Sequence, residues 1–284
     1  MTRLLTLGCS WIAGIGSKYD PSWDKQTYKE NCFRDKDNWE NAFRTILSKK
    51  HGLVNVNISC GGASNGSQFR KFRKYLHQND LNDTIVLWGV TSIYRMELFF
   101  NHAKEFTSGH GYSCFQPNQE KRKHIHGPDW CGPKEYFRQH FHEHIAGRAL
   151  AEEVHCWQRH FEALNVPQIW FDTLNVNNYV GGVYKPFDKL PYNCNQDLLS
   201  QLAYKNGWDP TDDKYHMSNW KADCDRVDFL KKKGILNPYS FHPTIQGHQQ
   251  IAEILDPILT KCYTSYKELN PNPKPYITKW KDVH

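Results

Sequence analysis

The sequence predicts a three-layer α/β/α domain on a mostly parallel sheet of about five strands, a usual width for such a layer. Three observations lead there. Short apolar runs recur along the chain, at Arg3–Gly8 (RLLTLG), Leu53–Ile58 (LVNVNI), Thr84–Trp88 (TIVLW) and Pro167–Asp172 (PQIWFD). Runs of this length read as strands, and those apolar on both faces as strands buried in a parallel sheet. Amphipathic segments lie between them, and strands alternating with helices call for a parallel sheet covered on both sides. Finally, Ser10, Gly62, Thr91 and Asp172 all stand at or just past a predicted strand end. Open sheets of this kind build their sites outside the carboxyl ends of the strands.

Each element follows from its local pattern. The first strand runs into Cys9, Ser10 and Trp11, then into Gly14 and Gly16, which suit a loop or a tight helix entry. Asn38–Lys50 carries Trp39, Phe43, Ile46 and Leu47 at helical spacing. Leu53–Ile58 alternates apolar and polar residues as a second strand. The Gly-rich turn Ser59–Gly66 (SCGGASNG) then leads to a helix through Phe69, Phe72 and Leu76. The third strand ends at Gly89, and Thr91–Phe100 reads as a loop and the start of a helix. His102–Pro133 is rich in Gly, His, Lys and Pro and reads as an insertion. Lys134–Leu164 reads as one long helix or two, and the fourth strand follows. Val176–Gly234 is irregular, with helical pieces at Leu198–Tyr204 and Val227–Lys232. Thr244–Tyr263 closes the fold as a helix that Pro257 would kink or break. The expected organisation is one domain over 1–270, with insertions at 101–134 and 176–236, and a polar tail over 271–284.

Composition narrows the function. The net charge of +6 is mild, and its basic residues are spread along the chain. A nucleic-acid footprint would be concentrated, so that partner is not expected. Nine cysteines without a CxxC pair read as thiols of a reducing cytoplasm rather than a disulfide framework. Met1–Gly8 is too short for a signal peptide, and no stretch is apolar enough to span a membrane. A cytoplasmic location is therefore expected. The 10 Trp, 15 Tyr and 15 Phe are more than usual and read as a bulky core with aromatic loops or as the lining of a binding groove, since sugars stack well on aromatic faces.

Two residues stand out as chemistry. A serine hydroxyl needs a base to become a nucleophile and donors to hold the oxyanion it creates. Ser10, on a strand-to-helix turn, offers both a hydroxyl and its own backbone N–H. His242, in Asn237–His248 (NPYSFHPTIQGH) before the closing helix, is the natural base. His248 is the lesser candidate because it falls inside that helix. His124, His126 and the His140–His144 run (HFHEH) do not form a zinc motif, since Ala146 stands where a second HExxH histidine would be. No metal and no cofactor are expected.

These blocks resemble the SGNH (GDSL-type) hydrolase superfamily, esterases and lipases on a flavodoxin-like sheet. Gly8-Cys9-Ser10 is similar to its Gly-Asp-Ser block. Asn57–Asn65 resembles the second block, with Gly62 matching the oxyanion glycine. Gly89-Val90-Thr91-Ser92 occupies the place of Gly-x-Asn-Asp, and Tyr239–Pro243 with Gly247-His248 occupies that of Asp-x-x-His-Pro. The resemblance covers the core strands and the last helix but neither insertion. It implies Ser10 as nucleophile, His242 as base, and Ser10, Gly62 and Thr91 or Asn65 around the oxyanion. Thr91 replaces the amide donor of the family. Tyr239 replaces its His-orienting Asp, leaving that role to a backbone carbonyl, to Asp172, or to nothing in a bare dyad. The Gly-Cys-Ser-Trp and Gly-x-Thr-Ser-x-x-Arg patterns look closer to poorly characterised SGNH-like proteins of phages and bacteria. Trp11 and Arg95 are the substrate-side candidates. Arg95 suits a carboxylate or phosphate, or else an ordinary surface salt bridge.

Two functions follow from this pattern. One is a serine ester hydrolase removing O-acyl groups, O-acetyl above all, from a carbohydrate, with an acyltransferase as its variant. The other is a binding protein for a glycan or other small ligand that has kept the fold and lost the chemistry. In either case the two insertions, following the third and fourth strands, are expected to roof the site.

Overall fold

The computed structural model describes residues 1–31, 40–93, 95–99, 112–115, 142–174, 197–209 and 220–269. In chain order its elements are β1 (Arg3–Leu7), α1 (Ser10–Ala13), α2 (Lys25–Asn31), α3 (Phe43–His51), β2 (Val54–Asn57), α4 (Asn65–Leu76) and β3 (Thr84–Val90). They continue as β4 (Met96–Phe99), β5 (Tyr112–Phe115), α5 (Glu143–Ala163), β6 (Gln168–Asp172), α6 (Leu198–Lys205), α7 (Trp220–Lys232) and α8 (Ile245–Leu269).

Strand side chains alternate between the two faces of a sheet, and here both faces are apolar. Leu4, Ile85, Leu87, Ile169 and Phe171 face one layer, together with Phe43 and Leu47 of α3 and with α6, α7 and α8. Leu5, Val86, Trp88, Val90 and Trp170 face the other, with Phe69 and Phe72 of α4 and with Val154 and Phe161 of α5. The result is the expected three-layer α/β/α arrangement. Trp88 and Trp170 stack across adjacent strands at 4.7 Å, an aromatic pair that fixes the β3–β6 register.

The parallel sheet has the order β2-β1-β3-β6, four strands among the described residues where about five were expected. From β1 the chain moves outward to β2 on one side and to β3 on the other. Strand order therefore reverses between β1 and β3, and in open sheets a crevice for ligands opens at such a point.

Three expectations change. Residues 96–99, read as the start of a helix, form β4, which pairs antiparallel with β5 from inside the predicted first insertion. Residues 198–205 and 220–236, read as pieces of the second insertion, supply core to one layer, with Leu198, Leu202, Leu230 and Leu236 buried. Pro257 neither breaks nor ends α8. It lies on the exposed side, where solvent serves the carbonyl its missing N–H leaves over, while Leu255 and Leu259 keep their apolar stripe. Most of the two insertions and the tail lie outside the described residues, so the roofing role expected of them does too. No described helix is long and apolar enough to cross a membrane.

Candidate active site

The site begins with the close approach of β1 and β3. Gly8 has φ +142, and a Cβ on it would stand 2.6 Å from Gly89 O and 2.8 Å from Ile12. Only glycine fits there. The tight turn lets α1 start at once, with Cys9 as an extended, buried N-cap and Ser10 as the first helical residue. Gly8 is held from both sides. Its N–H donates to Gln68 Oε1 at 3.0 Å, and its carbonyl accepts from Cys60 N at 3.2 Å. The second of these bonds brings the Ser59–Gly62 turn beside the Ser10 turn. Gly62 sits there exposed, at φ +71, with open space where a Cβ would be.

Thr91 ends β3 fully buried. Asn65, at the start of α4, binds its backbone twice: Thr91 N donates to Asn65 Oδ1 at 2.9 Å, and Asn65 Nδ2 donates to Thr91 O at 2.7 Å. The Asn65 amide, expected as an alternative oxyanion donor, fixes the Thr91 turn with its oxygen and one of its two N–H groups. Trp11 is also corrected. It is 2% exposed and packs in the core, so its ring is not offered to a ligand.

The last block arrives from α8. Asn237 N donates to His242 O at 2.9 Å and Asn237 Oδ1 accepts from Tyr239 N at 2.7 Å, which closes a tight loop ahead of the helix. Thr244 Oγ1 accepts from Gly247 N and starts α8. This loop presses on the one after Ser10. A Cβ on Gly16, at φ +95, would lie 2.2 Å from Pro243 O and 3.0 Å from His242 Cβ. His248, fully buried, donates from Nε2 to Ile15 O at 3.3 Å, and Ile15 N donates to Ser10 O at 3.0 Å. The turn of Ser10 and the loop of His242 are therefore in direct contact at the switch point of the sheet.

His242 is partly buried, and its Nδ1 lies 3.1 Å from both Tyr28 Oη and Ser240 Oγ, which are 2.8 Å from each other. Two hydroxyls hold the ring nitrogen for which a backbone carbonyl, Asp172 or no partner at all was expected. Asp172 is buried at the end of β6, two strands across from β1. Burial first, and then the charge of Arg95, lower the His242 pKa to about 4. The imidazole is neutral at pH 7, the form in which it can accept a proton. Arg95 itself follows β3 in a turn closed by its N–H to Ser92 O at 3.1 Å.

Sequence reasoning missed Tyr28 and Ser240. Tyr28 rides on α2, a polar helix (KQTYKEN) with no apolar stripe to announce it. Its one signal was Asp24, whose carboxylate accepts from Thr27 N at 2.7 Å as an N-cap. An aromatic cluster surrounds this hydroxyl, with Tyr19 at 6.1 Å and Tyr239 at 6.2 Å from the Tyr28 ring.

A scan against protein-family models finds no match, and a search of curated proteins finds none either. Solved structures give likenesses of the chain's course. One is the psychrotrophic esterase EstA from Pseudoalteromonas sp., with 12% identity over 93% of this chain and 100% of that one, at a TM-score of 0.44. Another, from Desulfitobacterium hafniense, is described as a lipolytic protein of the G-D-S-L family (14% identity, 91% and 99% covered, TM-score 0.39). A third is a carbohydrate esterase whose active site displays divergent catalytic and non-catalytic binding functions (10% identity, 92% and 68% covered, TM-score 0.40). At such identities and scores nothing about the site is taken from them.

Proposed function

We propose that this chain is a serine ester hydrolase of the SGNH kind that removes O-acyl groups, O-acetyl above all, from a carbohydrate. The observation that carries the reading is the contact between the two loops, Gly16 against His242 and Pro243, at the carboxyl ends of β1 and β3. In this reading Ser10 Oγ attacks the acyl carbonyl while His242 Nε2 takes its proton. Tyr28 and Ser240 keep the other ring nitrogen in place, in the role a carboxylate plays in a triad. The backbone N–H groups of Ser10 and Gly62 and the Thr91 hydroxyl hold the oxyanion. Collapse of the tetrahedral intermediate breaks the ester bond, and His242 returns the proton to the departing alcohol. Water then repeats the sequence on the acyl-serine.

The carbohydrate rests on a second observation. Tyr239 and Phe241, 41% and 52% exposed, flank His242 as an aromatic rim on which a sugar ring can stack. Binding without turnover is the rival reading, favoured by the low proton affinity of His242. A fluorophosphonate separates the two, because it bonds only to a serine activated by a base. One adduct on the intact protein, absent from Ser10→Ala and His242→Ala, is the expected result. No adduct on folded protein would leave the site as a glycan-binding one.

A further inference from the structure

We infer that Arg95 seats an anionic group, a carboxylate or phosphate carried by the substrate beside its ester, and that the site therefore prefers acidic esters to neutral ones. The inference rests on the esterase reading for the word ester, and on the Arg95 surroundings for the anion.

A guanidinium stays charged at any working pH and presents its donors as a rigid fork that matches the oxygens of carboxylate or phosphate. Such a group is costly to bury unless its donors are met. Arg95 Nη1 is buried and meets no hydrogen-bond partner, and Arg95 enters no ion pair among the described residues. The ordinary alternative, a surface arginine in a salt bridge, is therefore not what is built here. Nor is the residue loosely placed, since its turn is closed on Ser92 directly behind β3. The unmet donor follows directly on Thr91 and Ser92 past the carboxyl end of β3, on the side of the sheet where the Ser10 turn lies, and the Arg95 charge is felt at His242.

The chemistry gives that arrangement a purpose. When His242 takes the Ser10 proton, its new positive charge is disfavoured by that of Arg95. The groups on the other ring nitrogen, Tyr28 and Ser240, are neutral hydroxyls and do not offset them. An anion on Arg95 would meet the open donor and cancel the repulsion at once. It would favour both binding and proton transfer.

The test is calorimetric titration of the full chain with glucuronate, glucose 6-phosphate and glucose, on wild type, Arg95→Met and Arg95→Lys. Thermal unfolding of each variant checks that it folds. We expect at least one acid to bind about tenfold or more tighter than glucose, as one charge-assisted contact implies. Arg95→Met should erase that preference, and Arg95→Lys should keep part of it. Glucuronate alone gaining would name the carboxylate, and glucose 6-phosphate alone the phosphate. Neither acid binding better than glucose, or none binding measurably, overturns the inference. So does a preference that survives in Arg95→Met. A preference for acids without any fluorophosphonate adduct would instead remove the esterase reading and leave the anion seat standing.

Discussion

His248 ties α8 to the loop after Ser10, and acid should undo it. The ring is fully buried, Nε2 is committed to Ile15 O, and Nδ1 meets no partner. A second proton would have to sit on Nδ1, which has no acceptor among the described residues. Burial is accordingly the largest cause holding its pKa down at about 3, against the usual 6.5. The sign follows from the lowered value. Above pH 6.5 both folded and unfolded chains carry a neutral ring and nothing is lost. As pH falls from 6.5 toward 3 the unfolded chain takes up the proton and the folded one does not, so stability drains away across that window. At 1.36 kcal/mol per pH unit the loss is ~2 kcal/mol at pH 5 and ~3 kcal/mol at pH 4. That is a large share of the roughly 5–15 kcal/mol a folded domain has. His248→Gln keeps a donor for Ile15 O and removes the titration. Urea denaturation of both proteins at pH 8, 6, 5 and 4 reads the effect. The wild type should lose stability relative to the variant by about these amounts. Parallel pH curves for the two proteins would refute the reasoning.

Other outcomes are equally specific. Tyr28→Phe keeps the ring and removes one hydroxyl from His242 Nδ1; fluorophosphonate labelling should slow about fivefold, for the loss of roughly 1 kcal/mol of orientation, with thermal stability little changed. Gly16→Ala drives a methyl toward Pro243 O at 2.2 Å, whereas Gly62→Ala meets open space. Chemical denaturation should show a loss of about 2 kcal/mol or more for Gly16→Ala, by overpacking and backbone strain together, and about 1 kcal/mol for Gly62→Ala, by strain alone. Labelling should fall with the first. Asp197 is buried, caps α6 through Ser200 N and Oγ at 2.8 and 2.7 Å, and feels the charge of Arg226. Asp197→Ala should cost about 2 kcal/mol in the same assay, since it removes a cap and leaves the buried Ser200 N–H and hydroxyl without their acceptor.

The parallel strands were legible because burial on both faces leaves little room for polar residues, as in Leu4–Leu7 and Ile85–Val90. β4 was not, because MELF has no strand pattern of its own and acquires one only by pairing with Tyr112–Phe115. Ser10 and His242 could be picked out as candidates because they stand at a strand end and just ahead of a helix. Tyr28 was not, since its bond to His242 spans 214 residues and nothing near His242 in sequence points to it.

The bond from His248 to Ile15 spans 233 residues, and this sets an order of events during synthesis. Ser10 leaves the ribosome well ahead of His242, on a strand that can pair with β2 and β3 as they follow. His242 and the helix behind it come much later, after every described strand of the sheet has been made. Contacts of such separation form late and slowly. In the esterase reading proposed above, a nascent or truncated chain lacking α8 holds Ser10 with no partner to activate it, so the chemistry is withheld until α8 docks against the loop after Ser10.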